Sequence, residues 1–196
     1  MRKPLLIALL FPVLYSTAQT VTVSGNIVPG TYQEVQVYRP SMGFMFGSLE
    51  GTYVEGSFTA SGKFEVPVSI TGPEMAYLQI NDTSGDKSIM LPLILVPGYQ
   101  PRFVFDKDGH FTVSGKGAAD NRELTMPDYD SIQSFYGDTL PMRSYNYINR
   151  ITDERKRIFS QFVSAHKDVS TDFIRLWTAE LDYSKASTFF GYRTNN

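Results

Sequence analysis

Cysteine does not occur anywhere in this 196-residue chain. Its absence removes a thiol nucleophile, a C-x-x-C redox pair and a thiolate metal site together. Histidine is nearly as scarce. His110 and His166 stand far apart without clustered partners, so a zinc ion lacks ligands. No G-x-S-x-G occurs, and two remote histidines leave a serine nucleophile without a base. Excess charge is also lacking, since 18 Lys and Arg against 20 Asp and Glu leave a formal −2. That balance excludes a basic nucleic-acid face and an acidic tail. No apolar run is long enough to cross a bilayer, which takes roughly 20 residues.

What is present begins with an address. Arg2 and Lys3 form a positive start, Leu5 to Leu14 an apolar stretch interrupted by Pro12, and Ser16-Thr17-Ala18 a small-residue cleavage site before Gln19. Residues 1–18 therefore read as a signal peptide, and no cysteine follows to carry a lipid anchor. Its removal leaves 16 basic against 20 acidic residues, a mildly acidic exported chain at −4. The expected location is the periplasm or the cell envelope. The hydrophobic fraction of 42% supplies a core without disulfides.

From Gln19 to Ser114 the apolar positions alternate: Val21, Val23, Val35, Val37, Phe64, Val66, Val68, then Phe103, Phe105, Phe111 and Val113. Turn signals at Pro29-Gly30, Ser61-Gly62, Gly72-Pro73, Ser84-Gly85, Pro97-Gly98 and Asp108-Gly109 divide them. Hairpins are expected about Ser61-Gly62 and Asp108-Gly109. The run Ile89 to Val96 is apolar on both faces and should be buried, with Pro92 marking an edge or a bulge. After Gly117 the period becomes helical. Ile148, Ile151, Ile158, Phe159, Phe162 and Val163 share a face, and the run DERKR (Asp153 to Arg157) should be a solvated one. A second helix starts near Ser170, its expected N-cap, and carries Phe173, Leu176, Trp177, Glu180 and Leu181. The connector from Thr125 to Tyr147 has no readable period. The fold class expected is α+β: an antiparallel β-sandwich of about seven to nine strands over 19–117, then a helical segment, or linker to a further domain, over 118–196.

One stretch imitates a phosphate cradle. VSGKGAADNREL (Val113 to Leu124) follows a strand and holds two glycines and a lysine. A phosphate loop needs Ser or Thr after its lysine, and a dinucleotide loop a third glycine within a βαβ unit. Here Gly117 follows Lys116, and the preceding strands are hairpins. The stretch is expected to be a turn, with Asp120 or Asn121 capping a helix. Asp106-Lys107-Asp108-Gly109 resembles the opening of a calcium loop but lacks the later ligands. Asp128 and Asp130 have nothing to set them across a cleft for glycosidase chemistry. No catalytic, cofactor-binding or metal-binding residue is assigned. The candidate partner surface is Met42, Phe44, Met45 and Phe46, in a glycine-flanked loop that either meets a partner or folds over an open end of the sandwich.

Several segments together resemble the N-terminal domain of periplasmic TlpA-like thiol–disulfide oxidoreductases of Gram-negative bacteria, a domain of unknown function. They are VTVSGNI (Val21 to Ile27), GSFTASGKFEV (Gly56 to Val66), AYLQIND (Ala76 to Asp82), LVPGYQPRFVFD (Leu95 to Asp106) and, most closely, VSGKGAADNREL. The resemblance implies a β-sandwich and a helical segment leading to a thioredoxin fold that carries the activity. With no cysteine present, no catalytic residue carries over. The aromatic stretch FFGYR (Phe189 to Arg193) suits a chain continuing into a further domain. The expectation is a non-catalytic accessory domain whose partner is a protein or a C-terminal thioredoxin-like domain, with a homodimer a further option. The alternative is an independent glycan- or peptide-binding module using Tyr38, Phe44 and Tyr53 as stacking platforms.

Overall fold

A computed structural model describes residues 18–30, 32–40, 51–82, 88–127 and 141–194. Alternation builds the strands. In β1 (Gln19–Asn26) Val21 and Val23 point inward, and in β4 (Lys63–Ile70) Phe64, Val66, Val68 and Ile70 do so at every second residue. The others are β2 (Glu34–Pro40), β3 (Gly51–Phe58), β5 (Glu74–Asn81), β6 (Ser88–Leu95), β7 (Arg102–Phe105) and β8 (Phe111–Ser114). They form one sheet in the order β6-β5-β2-β3-β4-β1-β7-β8. All pairs are antiparallel except β1–β7, which is parallel through Gly25↔Phe103.

The sheet curls because β3 changes partner along its length. Gly51 to Gly56 pair with β2, whereas Ser57 and Phe58 pair with β4. A Cβ at Gly56 would stand 2.6 Å from a Val66 methyl and 2.8 Å from the Glu65 carbonyl, so only glycine permits this close crossing. The curled sheet then encloses one core drawn from both halves: Val21 and Val23, Val35 and Val37, Phe64 to Ile70, Leu78 and Ile80, Leu93 and Leu95, Phe103 and Phe105. Each such side chain contributes about 1.5–3 kcal/mol by leaving water. The expected α+β class and sandwich core are present. Both hairpins also form, with Gly62 at φ +77° and Gly109 at φ +87°.

Strand β6 lies at one end of the sheet, which explains its proline. Pro92 faces Tyr77, and a missing N–H costs nothing on an edge. The expectation of a fully buried run is corrected. Only Leu93, Ile94 and Leu95 are buried, while Met90 is 51% exposed.

The helices are α1 (Pro141–Ala165), which takes in the end of the unreadable connector, and α2 (Thr171–Thr194). They pack as a hairpin on the outer face of β5 and β6, where Ile94 joins Phe159, Phe173, Trp177 and Leu181, flanked by Met75, Tyr77 and Val96. Thus β6 buries Leu93 and Leu95 in the sandwich and Ile94 beneath the helices. The solvated-face reading of DERKR is also corrected. Arg155 is 1% exposed and donates from Nε to the Pro127 carbonyl at 2.7 Å, because the buried stripe runs Ser144, Ile148, Thr152, Arg155, Phe159. Asp153, Lys156 and Arg157 do face water. No helix among the described residues is long and apolar enough to cross a membrane.

Candidate functional site

The glycine passage after β8 is a backbone device. Gly115 and Gly117 adopt φ +86° and +90°, where an L side chain is strained. A Cβ on Gly115 would overlap the Gln100 carbonyl, and one on Gly117 the Tyr99 ring. The turn is stitched by Gln100 N–H to the Lys116 carbonyl at 2.9 Å and Ala118 N–H to the Gly115 carbonyl at 3.2 Å. The expected cap does not form. Ala119–Asn121 is a single 3-10 turn whose N-cap position is Ala118, with no side-chain cap.

Asp120 and Asn121 are instead buried to 3% exposure and reach distant elements. Asn121 accepts at Oδ1 from Ile94 N–H (2.8 Å) and donates from Nδ2 to the Ile94 carbonyl and the Gly117 carbonyl, both at 3.0 Å. Its amide acts as the next strand along the β6 edge. Asp120 accepts from Tyr99 OH at 2.6 Å and from Ser170 N–H at 2.8 Å, and it also takes the Ser170 hydroxyl. Ser170 Oγ in turn caps α2 by accepting from Phe173 N–H at 3.0 Å, as the sequence suggested. Arg122 completes the set with a bidentate grip on Asp168, between the helices. Three consecutive residues thus latch the sandwich edge, the start of α2 and the interhelical turn.

The electrostatics follow the geometry. The hydrogen bond to Arg122 holds the Asp168 carboxyl below its ordinary range, and the same bond raises the Arg122 guanidinium. Burial, reinforced by the bond to Asp120, pushes the Tyr99 phenol up. Burial raises Tyr77 further, with the Glu180 carboxylate and Tyr38 adding to it.

The outer face of β3, β2 and β5 carries a ladder of rings. Tyr38 stacks on Tyr53 at 4.7 Å and on Tyr77 at 6.0 Å, as cross-strand register dictates. Sandwiched between the two, Tyr38 is 7% exposed, while Tyr53 leaves half its surface open. Phe44, with Met42, Met45 and Phe46, lies outside the described residues, as do Asp128 and Asp130. Asp106, the lead residue of the calcium-like stretch, folds its carboxylate onto the N–H groups of Asp108 (2.9 Å) and His110 (3.0 Å), which is a turn role. His166 follows α1 with Nδ1 3.0 Å from the Phe162 carbonyl. Among the described residues no group of three or more His, Asp and Glu is placed to hold a metal.

Two of the clefts among the described residues, of about 450 and 460 Å³, adjoin the strands. One, of mixed character, lies over Ser24, Ser57, Lys63, Phe64, Glu65 and Arg102. The other lies between β6, Phe111 of β8, the segment Arg122–Met126 and Trp177. Sequence reasoning missed the latch and this second cleft alike. An Asp-Asn pair shortly after a double-glycine turn was the available signal for the latch. The chain matches no family model and no curated protein.

Proposed function

We propose that this chain is a non-catalytic, exported accessory domain that positions a thiol–disulfide oxidoreductase or its substrate. The supporting observation is the latch: Asp120, Asn121 and Arg122, three consecutive polar residues after the glycine turn, are all engaged in fixing the helical hairpin to the sandwich. Polar groups tied down in this way suit a rigid platform for a partner. The resemblance of Val113–Leu124 to the TlpA-like accessory domain supplies the partner class, and the signal-peptide pattern supplies the compartment.

Calorimetric titration of the exported, purified chain with the thioredoxin-fold domain of a TlpA-like oxidoreductase tests this. Saturable binding at roughly micromolar Kd is expected. Absence of heat at tenfold higher concentration, with both proteins folded, overturns it. A second reading, a glycan- or peptide-binding module, is favoured by the open ring of Tyr53 on its stacked support. Binding to an oligosaccharide or peptide array that Tyr53→Ala removes would select that reading.

A further inference from the structure

We propose that the cleft beside β6 is a binding site for a small amphiphile with an apolar tail and a neutral or positively charged head. The inference is independent of the accessory role. Strands β6 and β8 are opposite ends of the sheet, yet Leu91 of β6 and Phe111 of β8 line the same cavity. Nearby, a Cβ at Gly109 would stand 3.8 Å from the Ile89 side chain, so the β7–β8 hairpin leans against β6. Among the described residues the cavity is therefore a seam between the two ends of the curled sheet. Seams and mouths of closed sheets are frequent ligand sites. Its volume of about 460 Å³ falls within the range of small-molecule pockets.

The lining sets the ligand class. Tyr77, Met90, Leu91, Phe111, Met126 and Trp177 present rings and thioethers, which adapt to an aliphatic chain. Met90 stands half exposed at this surface, an apolar group that a tail would cover. The rim sets the head. Arg122 is neutralised by its bidentate pair with Asp168. Glu123 is exposed, with no ion-pair partner among the described residues, and Thr125 adds a hydroxyl. A carboxylate head would meet Glu123 and find no free cation in the lining. An ammonium head would meet Glu123 favourably.

Trp177 is the only tryptophan in the chain and lines the cavity, so its fluorescence reports occupancy directly. The probes are decyltrimethylammonium and decanoate, both below their micellar concentrations, added to the full chain. The expected result is a saturable change in emission with the cation, and binding of decanoate weaker by roughly tenfold. Met90→Arg should abolish the cation's effect while thermal unfolding and far-UV dichroism stay unchanged. Should Met90→Arg unfold the protein, Thr125→Arg at the exposed rim makes the same test. No saturable change with either probe overturns the site. Tighter binding of decanoate, or a response unaltered in a folded variant, overturns it equally.

Discussion

The side-chain amide of Asn121 bonds both backbone groups of Ile94, accepting its N–H at 2.8 Å and donating to its carbonyl at 3.0 Å. One side chain thus closes the exposed edge of β6 at the point where that strand also meets the helices. Edge strands leave unpaired backbone groups that recruit other chains, and this contact removes two of them.

Replacing Asn121 by Ala should therefore cost about 2–4 kcal/mol, since it strands buried backbone groups of Ile94 and loses the bond to Gly117. Urea denaturation followed by circular dichroism measures it. A loss below about 0.5 kcal/mol, the range of an ordinary surface change, contradicts the edge role.

The DERKR run should split into two kinds of residue. Arg155→Ala should destabilise by about 1–3 kcal/mol, because the Pro127 carbonyl loses its buried donor. Lys156→Ala, at an exposed pair with Asp182, should change stability by less than about 1 kcal/mol. Equal effects at the two positions would contradict the burial of Arg155.

In the glycine passage, Gly117→Ala should destabilise by about 2 kcal/mol or more through positive φ and overlap with the Tyr99 ring. Lys116→Ala should shift stability by less than about 0.5 kcal/mol. Thermal melts with and without a nucleoside triphosphate check both. A midpoint raised by the nucleotide and lost in Lys116→Ala would restore the phosphate reading.

Alkaline pH should loosen the hairpin from the sheet. Tyr38, Tyr77 and Tyr99 all have folded pKa values raised, chiefly by burial. A raised value means the folded state holds its protons more tightly than the unfolded chain. Their contribution is complete below the unfolded value of about 10 and declines as pH climbs from there through the folded values. Absorbance titration at 295 nm should show late ionisation coinciding with loss of tertiary dichroism. Tyr77→Phe should move the transition to higher pH. Early ionisation of all tyrosines without unfolding would contradict their burial.

Much of this architecture was legible before any coordinate. Period-two positions such as Val21, Val23, Phe64 and Val66 bury one face of a strand, and Pro92 marked either an edge or a bulge, of which the structure selects the edge. Ser170 announced its helix by local chemistry alone. Arg155 was illegible, because a charged residue between two charged neighbours looks solvated until a second element covers one side of the helix. The candidate site was less legible still. Asp120 meets Ser170 across 50 positions of sequence, and Asn121 meets Ile94 across 27. No local pattern encodes such partners.

The sequence by itself determined most strands, both helical segments, the glycine turns and the inward face of the alternating strands, since these depend on backbone preferences and the spacing of apolar side chains along a few consecutive residues. Only the tertiary structure decided that β3 is shared between two halves, that the helices cover Ile94, and that residues of β6 and β8 line one cleft. Those outcomes depend on packing between segments far apart in the chain, where many pairings satisfy the same alternation and only the sum of contacts selects one.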